Sequence, residues 1–180
     1  MIPIVNAPHP ALRQVAKPVT RVDKKLLRLI SDMTRSLVAA KDPEGVGLAA
    51  PQVGIPLRLF ITRPRPRDPV SVFINPEIIT YSQRQQAPHS KNGIYEGCLS
   101  LPHHYSPLMR SMSITLKYQT LDNQPEPQLV EKTNVFTGFP AHIIQHEVDH
   151  LNGILFIDRT LEQNTKLYRI HGKTWDEVDI

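Results

Sequence analysis

The sequence predicts an α+β fold, with mixed or antiparallel β-sheets around a central metal-binding helix. Three observations lead there. Two stretches, residues 24–40 and 138–151, read as helices. Several short runs rich in β-branched and aromatic residues lie between them, each bounded by prolines or charged turns. The seventeen prolines fall mainly in the connections, and no repeat or linker divides the chain. A length of 180 residues suits one domain, 1–180, with a substantial apolar core.

Asp23 is a plausible N-cap, and Leu26, Ile30, Met33 and Leu37 then recur at helical spacing, so 24–40 is an amphipathic helix. "KDPEG" at 41–45 ends it, and the small, flexible "GVGLAAPQVG" follows. Strands are expected at 57–62, 71–75, 77–82 and 113–120, where Ile114, Leu116 and Tyr118 alternate with polar neighbours. A weaker strand is expected at 129–136. The second helix packs Ile143 and Ile144 to one side, and Gly153 sits at its C-terminal stop. "TLEQNTKLYRIHG" at 160–172 suggests a third, short helix.

The net charge of +4, from 21 basic and 17 acidic residues, is too small and too dispersed to mark a nucleic-acid binder. Its densest basic patch, "RPRPR" at 63–67, reads as a solvated turn. No apolar run is long enough to span a membrane, and the N-terminus lacks the pattern of a secretory signal. A cytoplasmic enzyme is expected, or an organellar one if a leader once preceded Met1. Cys98 is the one cysteine, so no intrachain disulfide can form, and a reducing compartment fits.

"QHEVDH" at 145–150 contains His-Glu-x-x-His. One helical turn separates His146 from His150, so both imidazoles can meet one ion. Glu147 can reach a metal-bound water without being a ligand. The third ligand decides the chemistry. One peptidase pattern would place another histidine at 156, which is Phe156. A carboxylate on a later helix would have to be Glu162 or Glu177, or more weakly Asp158, Asp176 or Asp179, and none stands out. Cys98, in "YEGCLSLP", is the better candidate. One thiolate and two imidazoles suit a borderline-soft divalent ion and leave a position open for water. His103 and His104 read as loop residues, and Glu96, Asp149 and Arg110 as supporting groups or ordinary ion pairs.

Taken together, "GVGLAAPQ" (45–52), "EGCLS" (96–100) and "QHEVDH" (145–150) closely resemble the three signature motifs of the peptide deformylases. The likeness extends through "HPALRQVAKPV", "FINPEI", "GFPAHIIQHEVDHLNGILFIDR" and Arg110, from about residue 4 to 160. Members remove the formyl group from the N-terminal methionine of newly made proteins and release formate. The resemblance implies a divalent ion on Cys98, His146 and His150. It is Fe²⁺ in many members, with Zn²⁺, Ni²⁺ or Co²⁺ able to substitute. Glu147 is implied as the general acid and base, with the Gln52 amide and the Leu99 N–H as oxyanion donors. Gly47 and its neighbours are implied to meet the peptide backbone, Val46, Ile94, Phe139 and Ile143 to line the methionine pocket, and Gly97 and His142 to belong to the substrate-binding set. His142 stands where an arginine or an apolar residue is more usual, which leaves the pocket's polarity and its strictness for methionine open.

The implied partner is an N-formylmethionyl nascent chain, with no membrane and no sequence-specific nucleic acid. Some relatives dock on the ribosome through a basic C-terminal helix, for which Lys166, Arg169 and Lys173 are the candidates here. Two other readings compete. A small metallopeptidase lacks an obvious later ligand, and a metal-stabilised scaffold or peptide-binding module would have no need of Glu147 and Gln52.

Overall fold

A computed structural model describes residues 1–89, 93–122 and 126–179. Its elements are α1 (Lys24–Ala39), β1 (Gly47–Ala49), β2 (Leu59–Thr62), β3 (Ser71–Tyr81), β4 (Glu96–Cys98), β5 (Leu101–Ser106), β6 (Ser113–Asp122), β7 (Gln128–Thr137), α2 (Phe139–Leu151), α3 (Phe156–Glu162), β8 (Leu167–His171) and β9 (Thr174–Val178). Short 3₁₀ turns cover Pro10–Arg13 and Ala50–Val53. One sheet has the order β1-β2-β3-β6-β7 and the other β4-β5-β8-β9, and every pairing of these strands is antiparallel. The α+β expectation therefore stands, without a parallel pair between named strands.

Strand alternation sends successive side chains to opposite faces, and the core follows from it. Leu59 and Ile61 of β2 join Leu26, Leu29, Ile30, Met33 and Leu37 of α1. Phe60, between them, joins Ile144, Val148 and Leu151 of α2 on the other face. The five-stranded sheet is thus held between two helices. Asp23 caps α1 by accepting from the Leu26 N–H at 2.8 Å, as the sequence implied. Gly138 opens α2 at φ 67°, a conformation a Cβ disfavours, and Pro140 follows within its first turn. From Ala141 to Leu151 every residue of α2 is buried. Polar groups on such a helix need partners, which is what makes it a site.

Four expectations change. The two strands at 71–75 and 77–82 are one strand, β3, bent where its register shifts between Ile74 and Glu77. Asn75 takes φ 49° there, and its side chain bonds both backbone groups of Val19 (2.8 and 2.7 Å), so the bend is anchored by long-range contacts. The helix expected at 160–172 starts earlier and stops at Glu162, and the rest forms the β8–β9 hairpin, turning at Gly172 with φ 62°. His103 and His104 lie in β5 rather than a loop. Arg63, the first residue of the basic patch, is buried against the sheet, with Nε and Nη2 lacking hydrogen-bond partners, while Arg65 and Arg67 are exposed as expected.

Candidate metal centre

Three pieces of chain converge under α2. β4 carries Glu96 and Cys98, two residues apart and therefore on one face of the strand. The 3₁₀ turn after β1 carries Gln52, and α2 carries His146, Glu147 and His150. One ligand atom from each of Cys98, His146 and His150 lies within 4.8 Å of the others, and all three residues are buried. The His150 Nε2 is 3.2 Å from the Cys98 sulfur. The two rings stand perpendicular, with centroids 4.8 Å apart.

The sulfur is also approached by donors: the Ser100 N–H and the Gln52 Nε2, each at 3.4 Å. The orientation of the Gln52 amide is set by the Ala49 N–H, which donates to Oε1 at 2.8 Å and so turns the NH₂ toward the sulfur. His146 turns its Nδ1 to Glu96 Oε1 at 2.7 Å, which leaves Nε2 for the cluster. Arg110 donates to both oxygens of Glu96 (2.8 and 2.6 Å) and to Asp149 (2.7 Å), and Arg159 completes Asp149 from outside. Glu96 and Asp149 are thus ion-paired through Arg110, and Glu96 in addition orients His146.

These contacts set the local field. Burial alone would raise the Glu96 pKa, but the Arg110 charge and hydrogen bonds hold it well below the ordinary carboxylate range. Burial disfavours a charged His146, yet hydrogen bonds to Cys98 and Glu96 hold its pKa well above the ordinary value. His150 is driven the other way, by burial first and then by the His146 charge. A field that holds a proton on His146 favours a cation at the same place. A sulfur and two imidazoles are donors for zinc-, iron-, nickel- or cobalt-like ions, not for the all-oxygen chemistry of calcium.

A cavity of about 240 Å³ opens beside the cluster. Of the thirteen residues singled out from the sequence, twelve line it, and His150 lies behind them. Glu147 faces the cavity with Oε2 unpartnered, and burial raises its pKa to about 7, against the lowering effect of His146. A Cβ on Gly47 would collide with the Glu147 carboxylate and with Ile143. Gly47→Ala is expected to displace Glu147 and cost on the order of tenfold or more in kcat/KM, with metal content unchanged. Formate-release kinetics with metal analysis check this, and an unchanged kcat/KM would refute it.

His142 is buried in the cavity wall, with its Nε2 3.0 Å from Glu96 Oε2 and both ring nitrogens shielded from solvent.

A family model described as polypeptide deformylase matches residues 1–166. The peptide deformylase of Mesorhizobium japonicum is 40% identical over 159 residues, 87% of this chain and 82% of that protein. The chain belongs to the polypeptide deformylase family. The peptide deformylase of Rhizobium meliloti is 39% identical over 160 residues, 87% of this chain and 83% of that protein. Among solved structures, the Thermotoga maritima peptide deformylase superposes with TM-score 0.74 at 37% identity, covering 88% of this chain and 97% of its own. A class I type b peptide deformylase from Acinetobacter baumannii, crystallised with Met-Ala-Ser bound, gives TM-score 0.71 at 36% identity, covering 88% and 97%.

The deformylase activity follows: this enzyme is a metal-dependent hydrolase that removes the N-formyl group from nascent proteins. Its Cys98, His146 and His150 could hold the metal. His103 and His104 are not part of that group. Sequence reasoning missed Ser100 as a partner of Gln52 and Cys98, and Tyr95 and Tyr105 as cavity walls. Only its spacing from Cys98 could have signalled Ser100, and nothing in the local sequence marks the two tyrosines.

Proposed function

We propose that Cys98, His146 and His150 hold one divalent ion and that Glu147, Gln52 and the Leu99 N–H carry out deformylation around it. The observation that supports this best is the approach of one sulfur and two imidazoles to within 4.8 Å beside an unpartnered carboxylate. When bound, such an ion supplies Lewis acidity, acidifying water to a pKa of about 7 and polarising a carbonyl.

The chain's own groups do the rest. Glu147 accepts a proton from the attacking water at its free oxygen and later delivers it to the departing amine nitrogen. A pKa of about 7 suits both directions of that transfer. The Gln52 NH₂ and the Leu99 N–H stabilise charge on the formyl oxygen; one such donor is typically worth ~3–4 kcal/mol. β1 is the edge of its sheet, so Gly47 offers its edge to an extended peptide, with Gly97 across the cavity, while the preceding Val46 carbonyl is taken by the Arg63 N–H at 2.7 Å. Val46, Ile94, Phe139 and Ile143, with His142 beside them in the wall, receive the methionine side chain. Met-Ala-Ser in the Acinetobacter relative is the kind of product this arrangement would release.

We further propose Fe²⁺ as the native ion, a cytoplasmic location, residues 1–180 as one catalytic domain, and at most a transient ribosome contact. A C-terminal helix would not serve that contact, because the segment is a hairpin and Lys166 is paired with Glu177 at 2.6 Å. Among the described residues, no helix is long and apolar enough to cross a membrane. Protein prepared without oxygen should release formate from formyl-Met-Ala-Ser with Fe²⁺ or Ni²⁺ bound, and the Fe²⁺ form should decay in air. Metal-loaded protein that releases no formate would overturn the assignment, and an air-stable Fe²⁺ form would count against iron.

A further inference from the structure

Two of the cavity's wall residues, Tyr95 and Tyr105, belong to a larger group of aromatic rings. Both lean on Trp175 of β9, with ring centroids 5.4 and 5.6 Å away, the first pair nearly perpendicular. Tyr168 of β8 completes the group, 6.0 Å from Tyr95 and 6.1 Å from Trp175. Trp175 is nonetheless 48% exposed. An exposed tryptophan held by three other rings at the edge of a cavity marks a contact surface more than a core.

The hairpin that supplies Trp175 and Tyr168 lies beyond the residues that match the family model, which end at 166. It is firmly attached: Tyr168 pairs with Tyr105 across β5 and β8, and β5 in turn pairs with β4, the strand of Cys98. Of the charged side chains beside these rings, Glu177 stands opposite Tyr168 and is taken up by Lys166. His89 stands against Tyr95, Asp42 acts on Tyr105, and Glu44 lines the cavity wall, so the rings lie among groups that disfavour an acidic side chain more than an aromatic one.

We infer that Trp175, set against Tyr95 and Tyr105, is a platform for an aromatic side chain of the substrate just downstream of its formyl-methionine. The inference rests on the deformylase reading above. An extended peptide advances about 3.3 Å per residue, so a surface adjoining the cavity is within reach of the second and third residues. Ring-on-ring contact rewards an aromatic side chain there, and the tyrosine and tryptophan rings lose little freedom on binding.

The test compares formyl-Met-Ala-Ala with formyl-Met-Phe-Ala and formyl-Met-Ala-Phe on the metal-loaded enzyme. At least one phenylalanine peptide should have a KM about three- to tenfold lower than the alanine peptide, with kcat little different between them. Trp175→Ala should bring the KM ratio close to one, and Trp175→Phe should restore most of it. An advantage for phenylalanine that survives Trp175→Ala would overturn the inference. So would equal KM values in the unmodified enzyme, or a lysine peptide, formyl-Met-Lys-Ala, that gains as much as phenylalanine. A fall in melting temperature for Trp175→Ala without a change in the ratio would assign the rings to hairpin stability alone. Failure to hydrolyse formyl-Met-Ala-Ala at all would instead sink the deformylase assignment, so the two failures are distinct.

Discussion

Glu147→Ala is expected to lower kcat by about 10²- to 10⁴-fold, the usual worth of a positioned acid–base group, while metal content stays at the level of the unmodified enzyme. Glu147 sits one residue from His146, but its carboxylate is outside the cluster of ligand atoms, so metal binding survives its loss. Its Oε2 has no hydrogen-bond partner to be stranded by its removal. The sign of the stability effect follows. Burial raises the Glu147 pKa from an ordinary 4.5 to about 7. Above the unfolded value the unfolded chain ionises first, so folding grows less favourable as pH rises, and the penalty is complete above the folded value. At pH 8 that penalty is on the order of 3 kcal/mol in the metal-free protein. The metal-free Glu147→Ala variant should therefore melt higher than its parent at pH 8 and show little difference near pH 4. Loss of activity joined to loss of bound metal would refute the acid–base role. A lower melting temperature at pH 8 would refute the burial argument.

Arg110→Leu should destabilise the protein by about 3–5 kcal/mol, the typical result of removing one partner from a buried ion pair. Arg110 is 7% exposed and is the main counter-charge for Glu96. Asp149 would keep Arg159, at 2.6 Å, but Glu96 would keep only histidines. Glu96 also orients His146, so metal affinity should fall about 10- to 100-fold as well. The pH dependence separates this effect from simple packing loss. The folded pKa of Glu96 is depressed, so its stabilisation is fully present above the unfolded value of about 4.5 and is lost as pH falls toward the folded value. Arg110→Leu should remove that share of the acid sensitivity. Denaturant titrations at pH 7 and pH 4 test both points, and a variant losing less than about 1 kcal/mol at pH 7 would overturn the account.

Much of this was readable locally because its cause is local. The apolar period of α1, the Asp23 cap and the one-turn spacing of His146 and His150 all follow from helix geometry over a few residues. Cys98 was legible as a ligand by elimination and by motif, although 52 residues separate it from His150. The C-terminal hairpin was misread because "TKLYRIHG" has no cap or period strong enough to oppose a helix, and its strand form depends on pairing β8 with β5. The continuity of β3 through Pro76 likewise depends on Asn75 bonding Val19, 56 residues away.

From its own residues, the chain determined its two long helices, the α+β class and the identity of the groups able to hold a metal. These rest on periodicity and on donor chemistry, which are properties of residue types and their spacing. Only the tertiary structure decided that His142 turns its Nε2 to Glu96, that Arg110 bridges Glu96 and Asp149, and that Trp175 stands against Tyr95 and Tyr105. Those outcomes come from strands pairing over long distances, where burial and hydrogen-bond satisfaction choose among side-chain placements that the local sequence leaves equal.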